Sequence, residues 1–330
     1  MNEIIIINAE ESEKLLKYEE VIKTVEDVYV QKANNRSIVF PLVFHEFNPG
    51  VADMDIKSGW LMDSEIFGLK LVSWFGDNEK KGLPMLMGTI LICDANTGAP
   101  KGILDGSYVT GIRTGAAGAI GAKYLAKKDA KNLMMVGAGH VASFMIPETL
   151  MAVPSVCNVK IYDPIDVKYA EKMVAKLEKA YKDVRFEAVT DIEKATLESD
   201  IIITATPSKE PIIMKEWVKP GTHFSCIGAD MSGKEEIDPE ILRNARIFVD
   251  DIEQNINVGE IEIPIKKGII SKDDILGEIG EVISGGIKGR MSEEDITVFD
   301  ATGTALLDLL TGTLAIDKAR KQGLGTTVKL

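Results

Sequence analysis

Apolar and polar positions along the chain change period several times, and each change marks a new kind of element. Residues 3 to 8, Glu-Ile-Ile-Ile-Ile-Asn, read as a short strand. From about Ala9 to Lys32 the apolar residues Leu15, Leu16, Tyr18, Val21, Ile22, Val25 and Val28 recur at helical spacing. Between Ser37 and about Leu104 the pattern turns β-rich, as in Ile38-Val39-Phe40 and Leu86 to Ile92, with turns at Asn48-Pro49-Gly50 and Asn96-Thr97-Gly98. A mixed α+β unit is expected there. From about Gly111 to Lys127 a helix rich in Ala and Gly reads as a connector. Strands then alternate with helices: strands Asn132 to Val136, Val159 to Tyr162, Arg185 to Ala188 and Asp200 to Thr204, and helices from His140, over Val167 to Tyr181 and over Ile192 to Leu197. With further strands at His223 to Ile227 and Ile247 to Val249, this order predicts a parallel, doubly wound α/β sheet. The last helical pattern, Thr304 to Lys321, carries Leu306, Leu307, Leu309, Leu310 and Leu314. It is too apolar to stand alone and is expected to pack back on the N-terminal part.

At 330 residues the chain exceeds the roughly 250–300 at which single cores stop growing, so two domains are expected. Its formal charge of −13, from 51 acids against 38 bases, argues against a nucleic-acid partner. No stretch approaches the roughly 20 apolar residues that span a bilayer. The first residues lack the basic start and cleavage site of a signal peptide, which makes the cytoplasm the default. Cys93, Cys157 and Cys226 form no paired or metal-binding pattern and read as reduced core residues. His45 and His223 have no partner at ligand spacing, so no metal site is expected.

The densest chemical signal is Met134-Met135-Val136-Gly137-Ala138-Gly139-His140-Val141-Ala142. Gly137-x-Gly139-x-x-Ala142 supplies a tight turn, bare backbone against a pyrophosphate, and a small residue for close helix packing. Asp163, at the end of the next strand, is placed to accept ribose hydroxyls and to repel a 2′-phosphate, favouring NAD over NADP. The other reading is a helix cap ahead of Pro164. His140 is a phosphate donor or simply an exposed residue at a helix start. Thr206-Pro207-Ser208 and Gly228-Ala229-Asp230 follow apolar strands, where loops of such folds meet a cofactor. Lys70 interrupts the apolar run Ile66 to Val72, which a structural strand rarely tolerates unless the ammonium is paired. Arg113 either pairs on the connector helix or meets an anion, and Asp230 is either a turn residue or an acid–base group.

Several of these motifs, taken in order, resemble the ornithine cyclodeaminase/μ-crystallin family, and within it the archaeal-type alanine dehydrogenases. They are Ile112-Arg113-Thr114-Gly115, Gly137 to Gly139, Thr206-Pro207-Ser208, Gly228-Ala229-Asp230 with Gly233-Lys234-Glu235, and Thr297 to Gly303. The resemblance implies a substrate-binding and dimerisation domain from residues 1–113 and 304–330, with a Rossmann NAD-binding domain, 114–303, inserted in it. It implies a homodimer, NAD held by Thr114, the glycine loop from Gly137 to Val141, Asp163, Thr206 to Ser208, Gly228, Asp230 and Gly303, and a small amino or imino acid as substrate. Lys70 and Arg113 match the carboxylate clamp, and Asp230 matches the catalytic acid, with Lys70 as a second catalytic residue. Two positions depart from the cyclodeaminases: Pro41-Leu42 stands where they have a Pro-Arg pair, and Lys57 where they have an acid. Lys57 therefore reads as a replacement cation, as a contact for a second carboxylate such as that of iminosuccinate, or as a surface lysine beside Asp53 and Asp55. The activity implied is NAD-dependent hydride exchange at Cα of a small amino acid or its imine. The alternatives are ornithine cyclodeamination with NAD used catalytically, and a μ-crystallin-like protein that binds NAD(P)H without turnover.

Overall fold

The first apolar run forms β1 (Glu3–Ile7), and Asn8 then starts α1 (Ala9–Leu15) through a capping box with Glu11. The helical pattern expected to run unbroken to Lys32 is interrupted at Leu16 and Lys17, both extended, before α2 (Tyr18–Ala33). Leu15 and Leu16, on either side of the end of α1, are both buried. In the computed structural model, which describes residues 3–330, the β-rich stretch forms β2 (Ser37–Val39), β3 (Val43–Asn48), β4 (Ala52–Leu61), β5 (Ile66–Phe75), β6 (Leu86–Asp94) and β7 (Pro100–Asp105). The small-residue helix α3 (Gly106–Leu125) follows, starting five residues before the Gly111 expected.

The alternating part continues with β8 (Asn132–Val136), α4 (Ala142–Ala152), β9 (Asn158–Tyr162), α5 (Val167–Ala180), β10 (Arg185–Ala188), α6 (Ile192–Glu198) and β11 (Ile201–Thr204). Beyond them lie β12 (Lys209–Ile213), β13 (His223–Cys226), β14 (Glu235–Ile237), β15 (Arg246–Val249), α7 (Ile252–Val258), α8 (Glu262–Lys266), β16 (Ile275–Glu278), α9 (Ile279–Ile283) and β17 (Thr297–Asp300). The chain ends in α10 (Ala305–Gln322) and β18 (Thr326–Lys329).

These elements group into two compact units, Met1–Arg113 with Thr304–Leu330, and Thr114–Gly303. In the first, the sheet order is β18-β1-β7-β6-β5-β4-β2, with β3 on β4. Helix α10 lies on β4, β5 and β6 and against α2. It can approach because Gly59 and Gly68 face each other across β4 and β5, under Leu306 and Leu309. A Cβ on Gly68 would stand 2.8 Å from the Leu309 side chain.

In the second unit the sheet order is β10-β9-β8-β11-β13-β17-β15-β16, parallel throughout. Its core is apolar, with Phe224, Phe248 and Phe299 fully buried. From β8 the order runs to β9 on one side and to β11 on the other, which makes the carboxyl ends of β8 and β11 the switch point of a doubly wound sheet. The helix expected from His140 starts at Ala142, because residues 140–141 complete the turn of the glycine loop. Cys157, read as a core residue, is exposed just ahead of β9, whereas Cys93 and Cys226 are buried.

Candidate active site

In the first unit, Lys70 occupies an inward position of β5, and its ammonium is only 3% exposed. It lies 2.9 Å from Asp308 Oδ2, and Arg113 Nε donates to Asp308 Oδ1 at 3.0 Å. Thr110, one turn before Arg113 on α3, sits 3.4 Å from both Lys70 Nζ and Asp308 Oδ1. Two buried cations therefore share one fully buried carboxylate. Burial opposes ionisation of Asp308, but the charges of Arg113 and Lys70 outweigh it and hold the carboxyl below its ordinary value. The Lys70 ammonium is driven down to about 8, first by burial and next by the Arg113 charge, with Asp308 opposing and Lys57 adding to the effect. Lys57 is the direct cross-strand neighbour of Lys70 in the β4–β5 register, so the two lysines share a face of the sheet. Asp53 and Asp55 alternate along that same face of β4.

Sequence reasoning missed Asp308. Its signal was an acid inside the run Leu306-Leu307-Asp308-Leu309-Leu310, where a carboxylate is as anomalous as Lys70 is on β5.

In the second unit, Gly137 adopts φ +98°, a left-handed conformation that favours glycine, and a Cβ there would stand 2.7 Å from the Ala205 carbonyl oxygen. The loops after β8 and β11 thus touch backbone to backbone. Beside Gly139 nothing lies within 4 Å of where a Cβ would be, so the bare backbone faces open space that a side chain would fill. Helix α4 begins behind it with no side chain capping its first N–H groups. That is a cradle fitted to a dinucleotide pyrophosphate.

Asp163 ties the glycine loop to the turn after β9: Oδ2 accepts from the Ala138 N–H at 2.9 Å and Oδ1 from the Ile165 N–H at 3.0 Å. The N-cap of α5 is Asp166, not Asp163. His140 is exposed, its ring edge-on to Phe144, and Val141 is the unassisted N-cap of α4. Gly228 comes against the Thr206-Pro207-Ser208 loop, since a Cβ on it would stand 2.3 Å from the Thr206 carbonyl oxygen. Asp230 is about half exposed and pairs with Lys234 at 2.6 Å. After β15 the buried Asp250 accepts from the Gly303 N–H at 2.8 Å, while Thr114 is buried on α3.

Among the described residues no group of three or more His, Cys, Asp or Glu side chains is placed to hold a metal ion. His223 is fully buried between Thr297 and Ser225, and burial drives its imidazole down to about 3. Among the described residues no helix is long and apolar enough to cross a membrane.

The model of the ornithine cyclodeaminase/mu-crystallin family matches residues 2–323. The chain belongs to this family. It is 38% identical to the alanine dehydrogenase of Archaeoglobus fulgidus over 327 residues, covering 99% of this chain and 98% of that one. Its fold is similar to that of an archaeal alanine dehydrogenase solved as a dimer with bound NAD, with TM-score 0.93, 37% identity and 99% of each chain covered. It is also similar to the Delta(1)-pyrroline-2-carboxylate reductase of Thermococcus litoralis in complex with NADH and L-proline, with TM-score 0.93, 33% identity, and 98% and 100% of the two chains covered.

Proposed function

We propose that this protein is an NAD-dependent oxidoreductase that exchanges hydride at Cα of a small amino acid or its imine, in the manner of an alanine dehydrogenase. The observation that carries the reading is the pair of buried cations, Lys70 and Arg113, on the single carboxylate of Asp308. One positive charge is left over in a site where an unpaired ion is costly. A substrate carboxylate supplies the missing negative charge. Arg113 offers a planar fork of donors and Lys70 a point charge, which together fix an anion in one orientation. Lys57, across the strand from Lys70, adds a third cation to the same face.

The cofactor is held by the second unit: the glycine loop from Gly137 to Val141 takes the pyrophosphate, Asp163 the ribose, and Thr114, the loops at Thr206 to Ser208 and Gly228 to Asp230, and Gly303 the remainder. Asp163 repels a 2′-phosphate, so NAD is preferred to NADP. Bound NAD supplies the hydride acceptor for oxidation, and NADH the donor for reduction. Asp230 is the acid–base group. In the oxidative direction it takes a proton from the water that adds to the imine carbon and returns one to the departing ammonia. Lys234 keeps the Asp230 side chain in place by their ion pair. The first unit carries large exposed apolar side chains on β3 and the strands near it, among them Phe44, Phe47 and Leu86, and this face is the dimer contact of a homodimer.

The test follows NADH absorbance while 2-oxo acids are offered with ammonia and amino acids are offered with NAD. NADH consumption with pyruvate and ammonia, and NADH formation with alanine, are expected. Asp230→Asn is expected to lower kcat by roughly a hundredfold to ten-thousandfold while NADH binding stays as in wild type. Conversion of ornithine to proline and ammonia without net NADH change would sink this reading in favour of a cyclodeaminase. An Asp230→Asn protein that changes no rate would leave only a nucleotide-binding role.

A further inference from the structure

The second unit buries several carboxylates that take no part in the chemistry above, and the one nearest the cofactor loops is Glu236, on β14. It is fully buried. Its Oε1 accepts from the Thr206 N–H at 2.6 Å and from the Thr206 hydroxyl at 2.8 Å, and its Oε2 accepts from the Gly228 N–H at 2.9 Å. These donors belong to different loops, one leaving β11 and the other β13, which are neighbouring parallel strands. Both loops also return to one place, because Lys209 at the start of β12 pairs with Glu235 at the start of β14. Two loops that leave side by side and re-enter side by side are thus tied across their middle by one carboxylate. There is no slack at the tie: Gly228 approaches Thr206 so closely that a Cβ would also stand 2.5 Å from Glu236 Oε2.

The strand carrying Glu236 is itself held from behind. Glu260 Oε1 accepts from the N–H groups of Glu236 at 2.8 Å and of Ile237 at 2.7 Å. Nearby, Glu262 accepts from the Gly233 N–H at 2.8 Å, fixing the stretch that follows Asp230.

We propose that Glu236 is a positioning residue for the cofactor: its carboxylate is a clasp that locks the Thr206 and Gly228 loops in one register, so that NAD(H) meets them already in their binding arrangement and Asp230 projects from a fixed base. The inference rests on the NAD-dependent reading above. Only an ionised carboxylate satisfies all three donors, since a glutamine or a protonated acid would set a donor against an N–H. Burial raises the Glu236 carboxyl above its ordinary value, against the pull of its hydrogen bonds. Glu260 and Cys226 interact with it electrostatically, Asp300 interacts with both of those, and burial raises all three as well.

Wild type, Glu236→Gln, Thr206→Val and Thr206→Ser are titrated with NADH by fluorescence, with Tm recorded for each. Glu236→Gln is expected to weaken NADH binding by about tenfold or more, the loss of charge-assisted bonds. Thr206→Val is expected to weaken it less, and Thr206→Ser, which keeps the hydroxyl, to restore it. In turnover the cofactor KM rises and kcat falls while the KM of the oxo acid keeps its wild-type value, a split that general loss of stability does not produce. NADH affinity of the wild type falls on mild acidification as the clasp loses its charge, and Glu236→Gln removes that dependence. A folded Glu236→Gln protein with wild-type NADH affinity overturns the proposal. Should that variant not fold, wild-type affinity in Thr206→Val overturns it instead. A wild-type protein that binds no NADH defeats the functional reading, and the clasp is then judged by amide exchange at Thr206 and Gly228. Slow exchange in wild type that becomes fast in the variants supports the clasp, and exchange unchanged by the variants overturns it.

Discussion

The two units use buried carboxylates in opposite ways. In the first, one acid, Asp308, gathers two cations and leaves the site short of negative charge. In the second, the buried Glu236, Glu262 and Asp250 accept from backbone N–H groups of loops that follow strands, and Glu260 from those of β14 itself, with Glu262 also paired to Lys266. A buried ion cluster with charge left over is suited to capturing a counter-ion, because its unpaired charge is costly until the ligand arrives. Backbone N–H groups satisfied by acids give up capture in exchange for shape, since loops held this way have few arrangements open to them. The first region is thereby suited to recognising a charged substrate, and the second to presenting a preformed surface.

The largest effect expected from this contrast is the removal of a cation from the first region. Lys70→Met is expected to reduce kcat/KM for the oxo acid by on the order of a hundredfold or more, through KM, and to leave the NADH dissociation constant at its wild-type value. The fold survives because Arg113 still neutralises Asp308. Steady-state kinetics beside NADH titration check it, and the pattern is the inverse of that expected for Glu236→Gln. A Lys70→Met protein that lost NADH affinity and kept its substrate KM would break the division of labour between the two regions.

Much of this division was legible in the sequence, for a physical reason that also explains the rest. An ammonium in the run Ile66 to Val72 and a Gly-x-Gly turn after an apolar strand are local anomalies, visible within a few residues. Lys70 could be picked out in that way and Arg113 by its place ahead of the glycine loop and by the family motif, and the structure brings the two together on Asp308. The partners that complete each region are distant in the chain: Asp308 lies 195 residues from Arg113, and Glu236 lies 30 from Thr206. No periodicity encodes such pairings. Asp308 was at least anomalous among leucines, whereas Glu236, in Gly233-Lys234-Glu235-Glu236, looks like part of an ordinary charged turn. The Lys57 to Lys70 rung was equally hidden, because cross-strand register depends on how β4 and β5 pair and not on either strand alone.

A more moderate effect concerns pH. The free site holds Lys70 at about 8, and a bound anion pulls that value up, so binding of a carboxylate takes up a proton whenever Lys70 is neutral beforehand. Affinity is therefore full below the free-site value and decays above it, by about tenfold for each pH unit. The inhibition constant of propionate, whose own charge is constant across this range, is the measurement. A constant value through the alkaline range would mean that Lys70 carries no share of the binding charge.

The smallest effect tests whether the first region is one electrostatic unit. Lys57 is among the charges that lower Lys70, after burial and Arg113, and it stands directly across the strand pair from it. Like charges so placed repel, and removing one lets the other hold its proton longer. In Lys57→Gln the alkaline break in the propionate profile is expected to move upward by a fraction of a pH unit, with the inhibition constant below the break raised only about twofold to fivefold. A dicarboxylate inhibitor such as succinate separates the remaining roles of this residue. If Lys57 meets a second carboxylate, Lys57→Gln weakens succinate far more than propionate. If it only tunes Lys70, the two inhibitors lose affinity alike, and the region binds a single carboxylate through Lys70 and Arg113.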